Sequence, residues 1–129
     1  MRRPTHTRAA FSLAFLAIGL SGCAPILLAT AGAVVGYAVS RDSVTLDLDR
    51  PLDRVWSACL EETKHQGTVK KQDQARGRID AHIRRTDVVV TVDALTPSTV
   101  RVVIRARKNL LPQVEIAQRL GVGIARRVG

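Results

Sequence analysis

The chain has 129 residues, 46% hydrophobic but only 3% aromatic, and carries 20 Lys and Arg against 11 Asp and Glu, a formal charge of +9. That length holds one modest domain and leaves no room for a separate cofactor-binding domain. Four aromatics, Phe11, Phe15, Tyr37 and Trp56, cannot build the stacking platforms of RNA-recognition or single-strand-binding folds, so the charge does not by itself point to nucleic acid.

Residues 1–22 read as an export signal. Arg2, Arg3 and Arg8 precede an acid-free apolar run from Ala9 to Gly19, the order of an n-region and an h-region too short to span a bilayer. The Arg2-Arg3 pair raises a twin-arginine signal, but its surroundings fit an ordinary secretory n-region better. Leu20-Ser21-Gly22-Cys23 follows. Two small residues let the backbone enter a peptidase site, and the Cys23 thiol accepts the lipid. This segment resembles the lipobox of bacterial lipoproteins. The resemblance implies a mature chain that starts at Cys23, bearing a diacylglycerol and an N-acyl chain and needing no other cofactor. Several buried acyl chains anchor firmly where one is marginal. Ala24, rather than Asp, follows the cysteine, which implies the inner leaflet of the outer membrane, facing the periplasm. With Cys23 lipidated, Cys59 has no partner for an intramolecular disulfide, and its place on an apolar helix face predicts burial.

Residues 23–42 form the expected tether. Ile26 to Val39 is apolar and rich in Ala and Gly. As a helix it would reach about 21 Å, short of the ~30 Å hydrocarbon core. It is expected to act as a spacer, to lie on the membrane, or to pack on its own domain or a partner helix; Gly32 and Gly36 make one GxxxG.

The folded domain is expected over residues 43–129. Val44, Leu46 and Leu48 alternate with polar residues, which predicts a half-buried strand. Pro51 opens a helix whose apolar positions are Leu52, Val55, Trp56, Cys59 and Leu60, with Trp56 as core anchor and Gly67 as the stop. Thr68 to Gln72 reads as a polar edge strand and Asp73 to Gly77 as a turn. Strands follow around Ile79 to Ile83, Val88 to Ala94 and Val100 to Arg105, with Thr96-Pro97-Ser98 as a hairpin turn. Leu110 to Val128 reads as a closing helix with Pro112 in its first turn, facing the sheet through Val114, Ala117, Leu120 and Ile124. A three-residue loop at 96–98 sets Asp93 opposite Arg101. A two-residue loop at Arg85-Thr86 sets Asp93 opposite Arg78 and Arg84 opposite Asp87, leaving Asp93 between two arginines. The order β-α-β-β-β-β-α predicts an α+β two-layer sandwich, one antiparallel sheet with two helices on one face.

Val55-Trp56-Ser57-Ala58, Gly77-Arg78-Ile79-Asp80-Ala81 and Thr99-Val100-Arg101-Val102-Val103-Ile104-Arg105 occur in that order after the lipobox and the Gly/Ala-rich segment. In this the chain resembles a family of small bacterial envelope lipoproteins of unknown function. Members often carry Gly-Asp after the last strand, where this chain has Lys108-Asn109. The resemblance implies a fold and a location but no activity.

No P-loop, dinucleotide fingerprint, HExxH or Gly-x-Ser-x-Gly is present. His65 and His82 have no ligand-spaced partners, and the adjacent Glu61 and Glu62 point apart on a helix. No catalytic residue and no metal site are therefore assigned, and the chain is not expected to be an enzyme. The expected role is that of a non-catalytic accessory or scaffold module for an envelope protein partner. The alternative is a module binding anionic envelope lipids or glycans. Its basic patch would be Arg101, Arg105, Arg107, Lys108, Arg119, Arg126 and Arg127, set against Glu115 alone. A cryptic envelope enzyme is a third reading.

Overall fold

A computed structural model describes residues 33–129. The expected signal segment and lipobox, with Phe11, Phe15 and Cys23, and the first part of the expected tether lie outside the described residues. The elements are β1 (Val34–Val39), β2 (Val44–Leu48), α1 (Leu52–Gln66), β3 (Thr68–Asp73), β4 (Arg78–Ile83), β5 (Thr86–Ala94), β6 (Val100–Lys108), β7 (Leu111–Pro112) and α2 (Val114–Val128). They form an α+β sandwich with one antiparallel sheet, ordered β1-β2-β6-β5-β4-β3, with β7 paired to the end of β6. The expected β-α-β-β-β-β-α order stands, with one strand added before it and one inside it.

Alternation decides which face is buried. Val44, Leu46 and Leu48 of β2, Val88, Val90 and Val92 of β5, and Val100, Val102 and Ile104 of β6 all point into the core. Both helices cover that face. Trp56, only 6% exposed, and Cys59 pack from α1, and Ala117, Leu120 and Ile124 from α2. Burial pushes the Cys59 thiol well up, so it behaves as a small apolar side chain. Leu52, the first residue of α1, is partly exposed rather than buried in the core.

The sheet starts earlier than residue 43. Val34–Val39, expected within the tether, pairs antiparallel with β2 from Val39↔Val44 to Val34↔Leu48. Gly36 thus lies in a strand beside a bulge, not on a helix with Gly32. The physical reason is twofold. Val34, Val35, Tyr37 and Val39 are β-branched or aromatic. Without them, β2 would expose a row of unpaired backbone groups at the sheet edge.

Two further expectations are corrected. The closing helix begins at Val114, because Leu111 and Pro112 turn back against Lys108 and Arg107 as β7. The β4–β5 turn is Arg84-Arg85 rather than Arg85-Thr86, with φ of 49° and 62° and Ile83 opposite Thr86. Every pair shifts by two residues, so Arg78 faces Thr91 and His82 faces Asp87. A shift of two leaves each side chain on its expected face, so apolar alternation cannot detect it. The other hairpin has the expected register, with Asp93 opposite Arg101. Gly77 sits at φ 60°, its carbonyl accepts from the Val92 N–H at 2.7 Å, and a Cβ there would strike the Val92 carbonyl oxygen.

Candidate interaction surface

The sheet divides the basic residues singled out in the sequence into two sets. Arg101, Arg105 and Arg107 alternate with the buried Val102, Ile104 and Ala106, and so occupy the face that the helices leave open. Lys108 is the last residue of β6, beside the turn into β7. Arg119, Arg126 and Arg127 belong to α2 in the other layer. The seven residues are therefore not one continuous patch.

Several of these cations already have partners. The Arg101 guanidinium donates from Nε to Asp47 Oδ1 at 2.7 Å and from an Nη to Asp47 Oδ2 at 2.9 Å, a fork across β2 and β6. These hydrogen bonds hold the Asp47 carboxyl below its usual range despite its partial burial. Arg101 thus takes Asp47, while Asp93, directly opposite on β5, is exposed. Arg78 turns to Asp80 on its own strand, with Nε to Oδ1 at 3.0 Å. The expected Arg-Asp93-Arg cluster is thereby replaced by two separate pairs. Arg107 reaches Asp42 at 3.3 Å, and Arg119 reaches Glu115 at 3.1 Å. Arg127 engages Glu61 at 3.5 Å and Glu62 in a short contact. Among the described residues, Arg105, Lys108 and Arg126 have no carboxylate within 4.0 Å.

Two clefts lie toward the end of the sheet where β1 turns into β2 and β4 into β5. The first, about 340 Å³, is lined by Glu62, His65, Gln66, Ile83, Arg84, Ile116 and Arg119. Its carboxylate is not poised for acid–base work. Burial alone would raise the Glu62 pKa, but hydrogen bonds from Gln66 (2.7 Å) and Arg127 outweigh it and keep the group ionised. His65 is 73% exposed and 3.9 Å from Glu62, and no nucleophile lines the cleft. The second, about 560 Å³, lies on the open face and is lined by Arg78, Asp87, Val89, Arg105, Arg107, Asn109 and Leu110. Its acid, Asp87, is held in the charged form by Lys70 at 2.9 Å and by His82 at 3.0 Å. What remains is basic, with an apolar margin.

That margin was not legible in the sequence. Leu110 is 88% exposed and Leu111 66%. The sequence pattern places both in the first turn of the closing helix, where exposure is ordinary; the structure puts Leu110 in the turn and Leu111 in β7. The available signal was Pro112: the residue before a proline is disfavoured in helical geometry, so Leu111 was a poor helix opener. Among the described residues, no group of three or more His, Cys, Asp or Glu residues is placed to hold a metal ion, and no helix is long and apolar enough to cross a membrane.

No curated protein matches the chain. Among solved structures, the conserved protein of unknown function EF2215 from Enterococcus faecalis is similar at 5% identity. The TM-score is 0.42, over 79% of this chain and 78% of that one. Residues 7–108 match the family described as "Protein of unknown function (DUF3568)", and the chain belongs to it.

Proposed function

We propose that this member of the family is a lipid-anchored, periplasm-facing accessory module of the bacterial envelope. It acts without catalysis and meets a protein partner through its open sheet face. The observation that carries the reading is the spacing between lipobox and sheet. Cys23 ends the Leu20-Ser21-Gly22-Cys23 box, and β1 begins at Val34. The ten residues between them reach at most about 35 Å even fully extended. A domain on so short a leash works at the membrane surface, not across the periplasm. The sheet face that the helices leave open carries half-buried Val89, Thr91 and Val103 among the arginines of β6.

A photo-crosslinking amino acid at Val103 or Thr91, in membranes of cells that make the full chain, tests this. A discrete adduct is expected from both positions and not from Glu115, which is exposed on the helix layer. Equal adducts from all three, or none from the sheet face, would contradict the reading.

The second reading, binding of anionic envelope lipids, is favoured by the cleft at Arg105. Its geometry extends beyond the strand and helix patch expected from the sequence.

A further inference from the structure

Three turns meet at the end of the sheet farthest from the start of β1: Ser40–Ser43, Arg84-Arg85 and Asn109-Leu110. The pairing fixes their neighbourhood, since β1 lies beside β2, β2 beside β6 and β6 beside β5, with Asp87 opposite Arg107. Two of them are two-residue hairpin turns that need φ > 0 at both central positions, where Asn-Gly is the unstrained choice. Here the positions hold Arg84 (49°) and Arg85 (62°), and Asn109 (49°) and Leu110 (68°). Three large side chains occupy a backbone region that their β-carbons disfavour, and they do so side by side at one end of the molecule. Strain of this kind clusters at functional sites, which singles out this end of the molecule.

What it displays has a defined chemistry. Leu110 and Leu111 project into solvent at the tip, flanked by Arg107 and Lys108. Arg84, Arg85 and Lys108 have no carboxylate within 4.0 Å among the described residues. The nearby acids are engaged: Asp42 with Arg107, and Asp87 with Lys70 and His82. Directly behind Leu110 lies the open-face cleft with Arg105, Arg78 and Asn109. Exposed leucines ringed by basic residues match a bilayer surface, which offers acyl chains to the leucines and anionic headgroups to the arginines.

We infer that this turn end docks on anionic lipid, with Leu110 and Leu111 entering the headgroup boundary and Arg84, Arg85 and Arg105 facing lipid phosphates. The geometry permits contact with the anchoring membrane itself. A nine-residue β6 is about 30 Å long, within the ~35 Å reach of residues 24–33, so a chain held at Cys23 can turn that end to the membrane. The inference rests on the lipid-binding reading and deepens it by naming the contacting end and residues; it does not require acylation of Cys23.

The test reads the tip directly. The full chain with Cys23→Ser and Leu111→Cys takes one environment-sensitive fluorophore at position 111, because the Cys59 thiol is buried. The chain retains its apolar N-terminal segment and is reconstituted into vesicles. With phosphatidylglycerol present, the emission is expected to shift to the blue and to resist an aqueous quencher; with phosphatidylcholine alone it stays as in buffer. Arg84→Gln with Arg85→Gln abolishes the shift, as does high salt. Leu110→Gly alone in the labelled chain, with Arg84 and Arg85 native, reduces the shift while leaving the fold at least as stable, which separates loss of docking from loss of structure. A label that remains in water on anionic vesicles, one that enters both lipids alike, or full competition by inorganic phosphate would overturn the inference. The last outcome would mark a small-anion site instead of a surface.

Discussion

Leu110 illustrates how a single residue can oppose the stability of its own turn. At φ 68° a non-glycine residue costs on the order of 1–3 kcal/mol, and its side chain regains nothing by packing, being 88% exposed. Leu110→Gly is therefore expected to raise stability by about 1 kcal/mol in urea unfolding, with the midpoint rising and the slope unchanged. A lower midpoint would show that Leu110 has a packing role. Asp47 works in the opposite sense. Its carboxyl is held below the usual range by Arg101, so its contribution is present above the unfolded value of about 3.9 and is lost as pH falls through the lower folded value. Asp47→Asn should lower the melting temperature at pH 7, and the gap to the native chain should close toward pH 2. A gap constant across that range would contradict the pairing. This ion pair was beyond sequence reading. Arg101 does lie opposite Asp93 as the hairpin arithmetic requires, but its partner belongs to β2, which lies 54 positions away in the chain and reaches β6 only through the fold.

Among the elements, local patterns were legible and non-local choices were not. Alternation in β2, β5 and β6 and the apolar stripes on both helices revealed the core face, because burial imposes period two on strands and about 3.6 on helices. The β4–β5 register was misread by two residues because that slip moves no side chain between faces. Strand β1 was hidden because an Ala/Gly-rich apolar segment carries no polar alternation, and only the vacant edge of β2 calls it into the sheet. The packing of α1 on α2 depends on another feature that the sequence conceals. Gly123 lies against Glu62, whose carboxylate is held by Gln66 and Arg127, and a Cβ at position 123 would overlap that side chain. Gly123→Ala gains helix propensity but displaces a largely buried charge. The net expectation is a loss of roughly 1–3 kcal/mol in chemical denaturation. Equal or higher stability would show that Glu62 can swing aside freely.

At the scale of the molecule, chain direction arranges the surfaces. The start of β1, the start of α1 and the end of α2 lie at one end of the sheet; the arginine turns and the leucine tip lie at the other. The +9 charge is thus distributed. Three of its arginines lie in the N-terminal segment and others form ion pairs across strands and helices; Arg84, Arg85 and Lys108 stand at the turn end, while Arg50, Arg54 and Arg126 stand at the opposite one. The fold class was legible because one helix-covered antiparallel sheet follows from pattern alone. The candidate surface was only partly so: Arg105 and Arg107 were singled out, but Arg84, Arg85 and Leu110 acquire meaning only when separate turns meet in space. The proposed function depends on the chain being held at a membrane by Cys23. Metabolic labelling with an alkyne palmitate analogue tests this most directly, in cells making the native chain or Cys23→Ser. The account predicts a labelled, processed, membrane-bound native chain and an unlabelled, unprocessed Cys23→Ser chain. Processing and membrane attachment that survive Cys23→Ser unchanged would contradict it.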